Sequence, residues 1–274
     1  MSNRLSILSN LGKRRLALEP FPHIVIENAL DKDVYDASMA AFPSFDAVCC
    51  GMEGIESNAL YMRSARDVLS SDRFSPLFRE MFAFHVSNGF WHELTPLLAD
   101  TMRSLYPDLE QRIGKPIEDW RVTMRGSDDD EAEVVLDCQF CVNSPVTKPS
   151  SVRTPHIDKE NKFFNALLYC RHPDDDADGG ELVLYKFKSK PGFSGAGRTA
   201  MPNRVEPVAS VAYRANTLVL FLNSPLSVHG VTPRPVTNHI RRYLNITGMV
   251  RQDLFKVPKL NPIAAVLERA FARA

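Results

Sequence analysis

Neither sign of charge is in excess in this chain: 33 Lys and Arg stand against 33 Asp and Glu over 274 residues. A protein that binds nucleic acid by neutralising phosphates carries a basic surplus. A nucleic-acid partner is therefore not expected, and a small or zwitterionic substrate suits the balance better. Cysteine is scarce and odd in number, with Cys49, Cys50, Cys138, Cys141 and Cys170, which argues against a complete disulfide framework. No apolar run approaches membrane-spanning length. The opening MSNRLSILSNLGKRRLALEP has neither a long apolar stretch nor a small-residue cleavage site. The expectation is a cytoplasmic protein with no membrane partner. Internal repeats, low-complexity stretches and a clear linker are also lacking. With 44% hydrophobic and 24% charged residues, the composition is ordinary globular usage. Residues 1–274 are expected to form a single domain with a sizeable core.

Two short motifs carry little. Cys138 and Cys141 form a CxxC, but no second pair follows and no helix start accompanies them. LDCQFCV reads as a buried strand rather than a zinc half-site or redox pair. RHPDDDADGG (171–180) is acidic, yet it lacks the alternating ligands and distal Glu of a calcium loop and reads as a solvated turn.

What is present changes character near residue 120. FPHIVIENAL (21–30) predicts a short strand, and DKDVYDASMAAF (31–42) a helix with Asp31 at its cap. Residues 43–60, with Pro, Gly, Ser and Asn, predict a loop. Helices are predicted around 76–105 and 107–120, with Leu97, Leu98, Met102 and Leu105 as a core stripe. Short β-rich runs follow: EVVLDCQFCV (133–142), FFNALLYC (163–170), GELVLYKF (180–187), SVAYRANTLVLFL (210–222) and RRYLNITG (241–248). Such spacing indicates a sandwich or barrel. The expected fold is α+β. Helical support from about 1–120 packs on a double-stranded β-helix, or jelly roll, over about 133–250, and a C-terminal helix covers about 259–274.

The informative segment is VRTPHIDKENKFFNALLYC, which sets His156 and Asp158 two residues apart. On an extended strand, residues i and i+2 project from one face, so an imidazole and a carboxylate can reach one ion. A second histidine, His229, follows the apolar strand TLVLFL in FLNSPLSVHGVTP. Two histidines and one carboxylate form a facial triad that leaves coordination positions open, as suits Fe(II) and dioxygen rather than structural zinc.

In PHID, GGELVLY, TLVLFLNSPLSVHGV and RRYLNITG, roughly residues 135–250, the sequence resembles the 2-oxoglutarate/Fe(II)-dependent dioxygenase superfamily. The resemblance implies a double-stranded β-helix, Fe(II) held by His156, Asp158 and His229, and 2-oxoglutarate as cosubstrate. It also implies a basic residue on the strand after the distal histidine, paired with the far carboxylate of 2-oxoglutarate. Arg241 and Arg242 compete for that place. Arg241 shares a strand face with Tyr243, Asn245 and Thr247, and Arg242 shares the other with Leu244 and Ile246; the polar face favours Arg241. Asn165 and Tyr169 share a face of the preceding strand and are further candidates for the cosubstrate. Gln139 and Arg153 are candidates to face the pocket. The implied reaction consumes dioxygen, releases succinate and carbon dioxide, and oxidises a substrate C–H bond. Asp158 occupies the position where related halogenases carry Ala or Gly, which favours hydroxylation, or another oxidation such as desaturation or cyclisation, over halogenation. The expected substrate is a small metabolite or amino-acid-like molecule. The alternatives are a peptidyl hydroxylase of the same superfamily and a non-catalytic metal-binding jelly-roll module. A cupin-type barrel fits less well, because its clustered histidines and additional Glu are absent near His156.

Overall fold

The computed structural model describes residues 3–51, 55–193 and 197–260. In chain order the elements are β1 (His23–Glu27), α1 (Lys32–Ala40), α2 (Phe45–Cys49), β2 (Leu60–Arg63), α3 (Ala65–Leu69), α4 (Pro76–His85), α5 (Asn88–Leu105) and α6 (Leu109–Ile113). They continue as β3 (Val122–Met124), β4 (Val134–Asn143), β5 (Lys162–Tyr169), β6 (Leu182–Phe187), β7 (Val205–Val211), β8 (Thr217–Leu222), β9 (His229–Val231) and β10 (Arg241–Val250).

The strands form a seven-stranded sheet in the order β1-β8-β5-β10-β4-β2, with β3 beside β4, and a three-stranded sheet in the order β7-β6-β9. Single bridges Val146–Thr237, Ser150–Arg234 and His156–His229 run a further irregular strand along the small sheet. The result is a jelly roll with helices on its outer face, the α+β architecture expected.

Strand alternation sorts the side chains. Cys138, Phe140, Leu168, Leu220, Leu244 and Ile246 point to the helices and join their core. Cys141, Tyr169, Val219, Phe221 and Tyr243 point between the sheets, where they meet Leu182 and Leu184 of β6. The two CxxC cysteines thus lie in different cores, both buried and free, which excludes a shared metal or a disulfide between them. Phe140 anchors the helical layer. Its ring centroid lies 4.7 Å from those of Phe78 and Phe82, with Phe42 and Phe74 at 5.3 and 5.6 Å.

Several expectations need correction. The 76–105 segment is two helices, because the Ser87 hydroxyl accepts from the Phe90 N–H and starts a new one. Within α5, Leu98 and Met102 are buried, while Leu97 and Leu105 pack at the core's margin. The 43–60 loop contains α2, capped by Ser44. Asp31 stands at the N-cap of α1 without a side-chain capping bond and faces Arg4 at 3.8 Å instead. The run 210–222 is not one strand: it passes through a turn at Asn216, φ 54°, and its halves join different sheets. The expected C-terminal helix lies, but for residues 259–260, outside the described residues. Among the described residues no helix is long and apolar enough to cross a membrane.

Two predictions arise from this core. His85 is fully buried: its Nδ1 donates to the Met81 carbonyl (2.7 Å), and its Nε2 accepts from the Ile7 N–H (3.1 Å). Burial pushes its pKa down to about 4. Its contribution to stability is complete above the unfolded value near 6.5 and is lost as pH falls towards the folded one, up to ~3 kcal/mol. Urea midpoints measured from pH 7 to 4 should therefore fall more steeply for the wild type than for His85→Leu. At Gly248, an added Cβ would stand 2.3 Å from Phe164 Cε1 and 2.5 Å from Phe163 Cζ. Gly248→Ala should cost about 1–3 kcal/mol in chemical denaturation through overpacking.

Candidate metal centre

His156 and His229 face each other through a reciprocal backbone pair. Each N–H donates to the other's carbonyl at 2.9 Å, and the ring centroids stand 4.3 Å apart. This pairing, rather than a regular strand through HxD, sets the two imidazoles side by side; Asp158 lies in a loop immediately after the bridge. The ligand atoms of His156, Asp158 and His229 all lie within 4.8 Å of one another.

The surroundings fix their orientation and charge. His156 Nδ1 contacts the Thr154 carbonyl at 2.8 Å, and His229 Nδ1 the Ser227 carbonyl at 2.9 Å. A carbonyl only accepts, so each Nδ1 carries the proton and each Nε2 lone pair is left for an ion. Burial, then neighbouring His229, pushes His156 down to about 3; burial also lowers His229, against the pull of Asp158. For Asp158 burial acts to raise the pKa, but Lys162, His229 and His156 outweigh it and hold the carboxyl below its usual range. Neutral imidazoles and an ionised carboxylate are the states a divalent cation requires. Asp158 is steadied by Lys162 Nζ at 3.5 Å and by a hydrogen bond from the Asn165 amide, whose oxygen in turn meets Lys162 Nζ at 3.2 Å. Asn165 thus lies against the triad carboxylate.

Further along the interior face sits Arg241, only 2% exposed. Its Nε donates to the Gly180 carbonyl (3.2 Å), and its guanidinium lies 4.8–5.1 Å from the ring centroids of Tyr243, Tyr213 and Tyr169. Arg241 Nη2, the Tyr169 hydroxyl and both side-chain polar atoms of Asn143 are buried without hydrogen-bond partners. Asn143 lies directly across from Arg241, and Tyr169 across from Tyr243. Arg242 points the other way: its Nε donates to the Cys170 carbonyl (3.1 Å), and its guanidinium lies over Phe42 on the helical side. Arg153 is exposed beside the bridge, and Gln139 faces the interior.

Sequence reading missed Arg234 and Lys162. Arg234 is 2% exposed, and a Cβ at Gly180 would stand 3.4 Å from both Arg234 Cδ and Arg241 Nε. It lies in an irregular stretch, TPRP, where no alternation marks a face. Lys162 was legible only as the residue opening a strand four after Asp158.

The residues fit the groups that such a site implies. Two Nε2 atoms and one carboxylate are a donor set for Fe(II) with open positions. The unpaired donors of Arg241, Tyr169 and Asn143 suit a carboxylate.

Residues 146–247 match the sequence model of the 2OG-Fe(II) oxygenase superfamily, whose metal and cosubstrate are Fe(II) and 2-oxoglutarate. No curated protein matches the chain. Among solved structures, a prolyl 4-hydroxylase from Phytophthora capsici is similar at 16% identity and TM-score 0.48, covering 91% of this chain and 67% of that one. A prolyl-4-hydroxylase from Pseudomonas putida is similar at 13% identity and TM-score 0.44, covering 91% of this chain and 100% of that one. A prolyl hydroxylase from Trichoplax adhaerens, in complex with a hypoxia inducible factor peptide fragment, is similar at 12% identity and TM-score 0.44, covering 83% of each chain. At such distances these structures carry nothing about this chain's substrate.

Proposed function

We propose, from the premise that residues 146–247 belong to the 2OG-Fe(II) oxygenase superfamily, that this protein is a dioxygenase that hydroxylates a small metabolite or amino-acid-like substrate. The observation that carries this reading is the triad itself: two imidazoles with Nδ1 pinned to carbonyls and Nε2 turned to an ionised Asp158, within 4.8 Å of one another.

In this reading His156, Asp158 and His229 hold Fe(II). Arg241 and Tyr169 hold the far carboxylate of 2-oxoglutarate by charge-assisted hydrogen bonds. When bound, iron and 2-oxoglutarate supply oxidative decarboxylation to succinate and carbon dioxide, coupled to oxidation of the substrate. Lys162 and Asn165 keep the Asp158 carboxylate oriented, and the tyrosines around Arg241 exclude water from the buried guanidinium. Asp158 fills the place a halide would need, which argues against halogenation. Desaturation or ring closure would leave no labelled oxygen in the product, so labelled dioxygen separates them from hydroxylation.

The test is turnover against a metabolite panel under labelled dioxygen. One labelled oxygen should appear in succinate and one in the product. Turnover unchanged without 2-oxoglutarate would reject the reading. A peptidyl substrate is the second reading. It is favoured by Leu60 and Met62, which are 41% and 46% exposed on edge strand β2 and share the site-facing side with Asn143 and Cys141. A peptide panel in the same assay separates the two.

A further inference from the structure

A chain of polar side chains crosses the site-facing side of the large sheet with a fixed direction. It starts at Asp137 on β4, which is fully buried. One carboxylate oxygen accepts from the Ala65 N–H at 3.1 Å; the other meets Gln139 Nε2 at 2.9 Å and Arg125 Nη1 at 3.5 Å. The Ala65 N–H and the Arg125 guanidinium can only donate, one to each oxygen, so the carboxylate serves as an acceptor on both sides. Gln139 must therefore turn its amide nitrogen to Asp137 and its oxygen away. That oxygen accepts from Asn245 Nδ2, directly across on β10, at 3.3 Å. Asn245 is left presenting its Oδ1, which is buried and has no hydrogen-bond partner. Reversing both amides would press the Gln139 oxygen against the Asp137 carboxylate, which is an acceptor facing an acceptor. The anchor thus sets the polarity of the far end.

Asn245 stands between the two ends of the proposed site. Arg241 lies four residues earlier on the same strand face, and Thr247, opposite Asn165, lies two residues later. A buried acceptor left unpaired is costly, so a donor belongs there. Ionised 2-oxoglutarate has no N–H or O–H to give.

Resting on the oxygenase reading, we infer that Asn245 Oδ1 is a specificity-determining acceptor for an N–H or O–H group on the substrate, held in that polarity by Gln139 and Asp137. The substrate class is therefore an amine, amide or hydroxyl compound whose donor lies close to the carbon that is oxidised. An amino acid or its amide fits. A purely hydrocarbon or fully alkylated substrate does not.

The experiment uses the full chain loaded with Zn(II) and 2-oxoglutarate, which cannot turn over, and reads binding by ligand-observed NMR. The probes are the proteinogenic amino acids and their N-acetyl amides, each beside a counterpart fully methylated on nitrogen and oxygen, with no N–H or O–H left. Binders should come from the unmethylated set. Methylation or Asn245→Leu should weaken them by about tenfold or more, as expected for a lost buried hydrogen bond. The 2-oxoglutarate affinity of Asn245→Leu should stay within about threefold of the wild type. Equal binding of the methylated probes would overturn the inference. So would full affinity in Asn245→Leu, or no binder among the unmethylated probes. A fall of about tenfold in 2-oxoglutarate affinity in Asn245→Leu would assign the acceptor to the cosubstrate end instead. Failure of the wild type to bind 2-oxoglutarate before any probe is added would instead reject the oxygenase reading beneath it.

Discussion

His229→Ala should abolish iron-dependent turnover and weaken Fe(II) binding by at least ~100-fold, the upper range for losing a mere supporting contact around a metal. His229 is placed by two backbone bonds to His156 and by its Nδ1 on the Ser227 carbonyl. Its ring also lies 4.5 Å from that of Phe221 on β8. None of the backbone bonds depends on the imidazole, so the alanine variant keeps its scaffold. Asp158→Ala should lose iron as completely and would leave Lys162 without its carboxylate. Iron content after dialysis, read beside the far-ultraviolet circular dichroism spectrum, separates loss of metal from loss of fold. A folded His229→Ala protein with full iron content and turnover would remove this residue from the ligand set.

Arg241→Ala should raise the half-saturating concentration of 2-oxoglutarate by about 100-fold or more, because losing one partner of a buried charge pair costs on the order of 3–5 kcal/mol. The guanidinium is buried; its Nε donates to the Gly180 carbonyl and its Nη2 is unpaired. Tyr169→Phe removes one neutral donor and should have a smaller effect, about tenfold or less. Arg242→Ala should leave the 2-oxoglutarate requirement nearly unchanged and lower stability instead, since Arg242 lies over Phe42 and bonds the Cys170 carbonyl on the helical side. Titration of 2-oxoglutarate in the succinate assay, with a urea midpoint for each variant, decides between them. A larger effect from Arg242→Ala would reverse the assignment.

Strand alternation made much of this legible in the sequence. The odd positions 241, 243, 245 and 247 of β10 do share the face towards the small sheet, and the even positions face the helices. HxD and the later histidine were visible as a set, although the geometry joining them is a two-residue bridge and not the strand that the spacing implied. Local patterns failed where tertiary pairing decides. The run 210–222 is uniformly β-prone, yet Asn216 in the left-handed region turns it from one sheet to the other. Arg234 and Lys162 meet the site only through folds of chain that no periodicity marks. The direction of the Asp137–Gln139–Asn245 chain was likewise hidden, because it depends on cross-strand register and on the Ala65 N–H reaching Asp137 from the start of a helix.

The most direct measurement is an anaerobic titration of Fe(II) into the purified protein with 2-oxoglutarate present, followed by visible absorption. One Fe(II) per chain should saturate the site. A charge-transfer band should appear only when metal and 2-oxoglutarate are both present, vanish in His229→Ala, and require far more 2-oxoglutarate in Arg241→Ala. Absence of saturable one-to-one binding, or a band that survives intact in both variants, would contradict the assignment of this site.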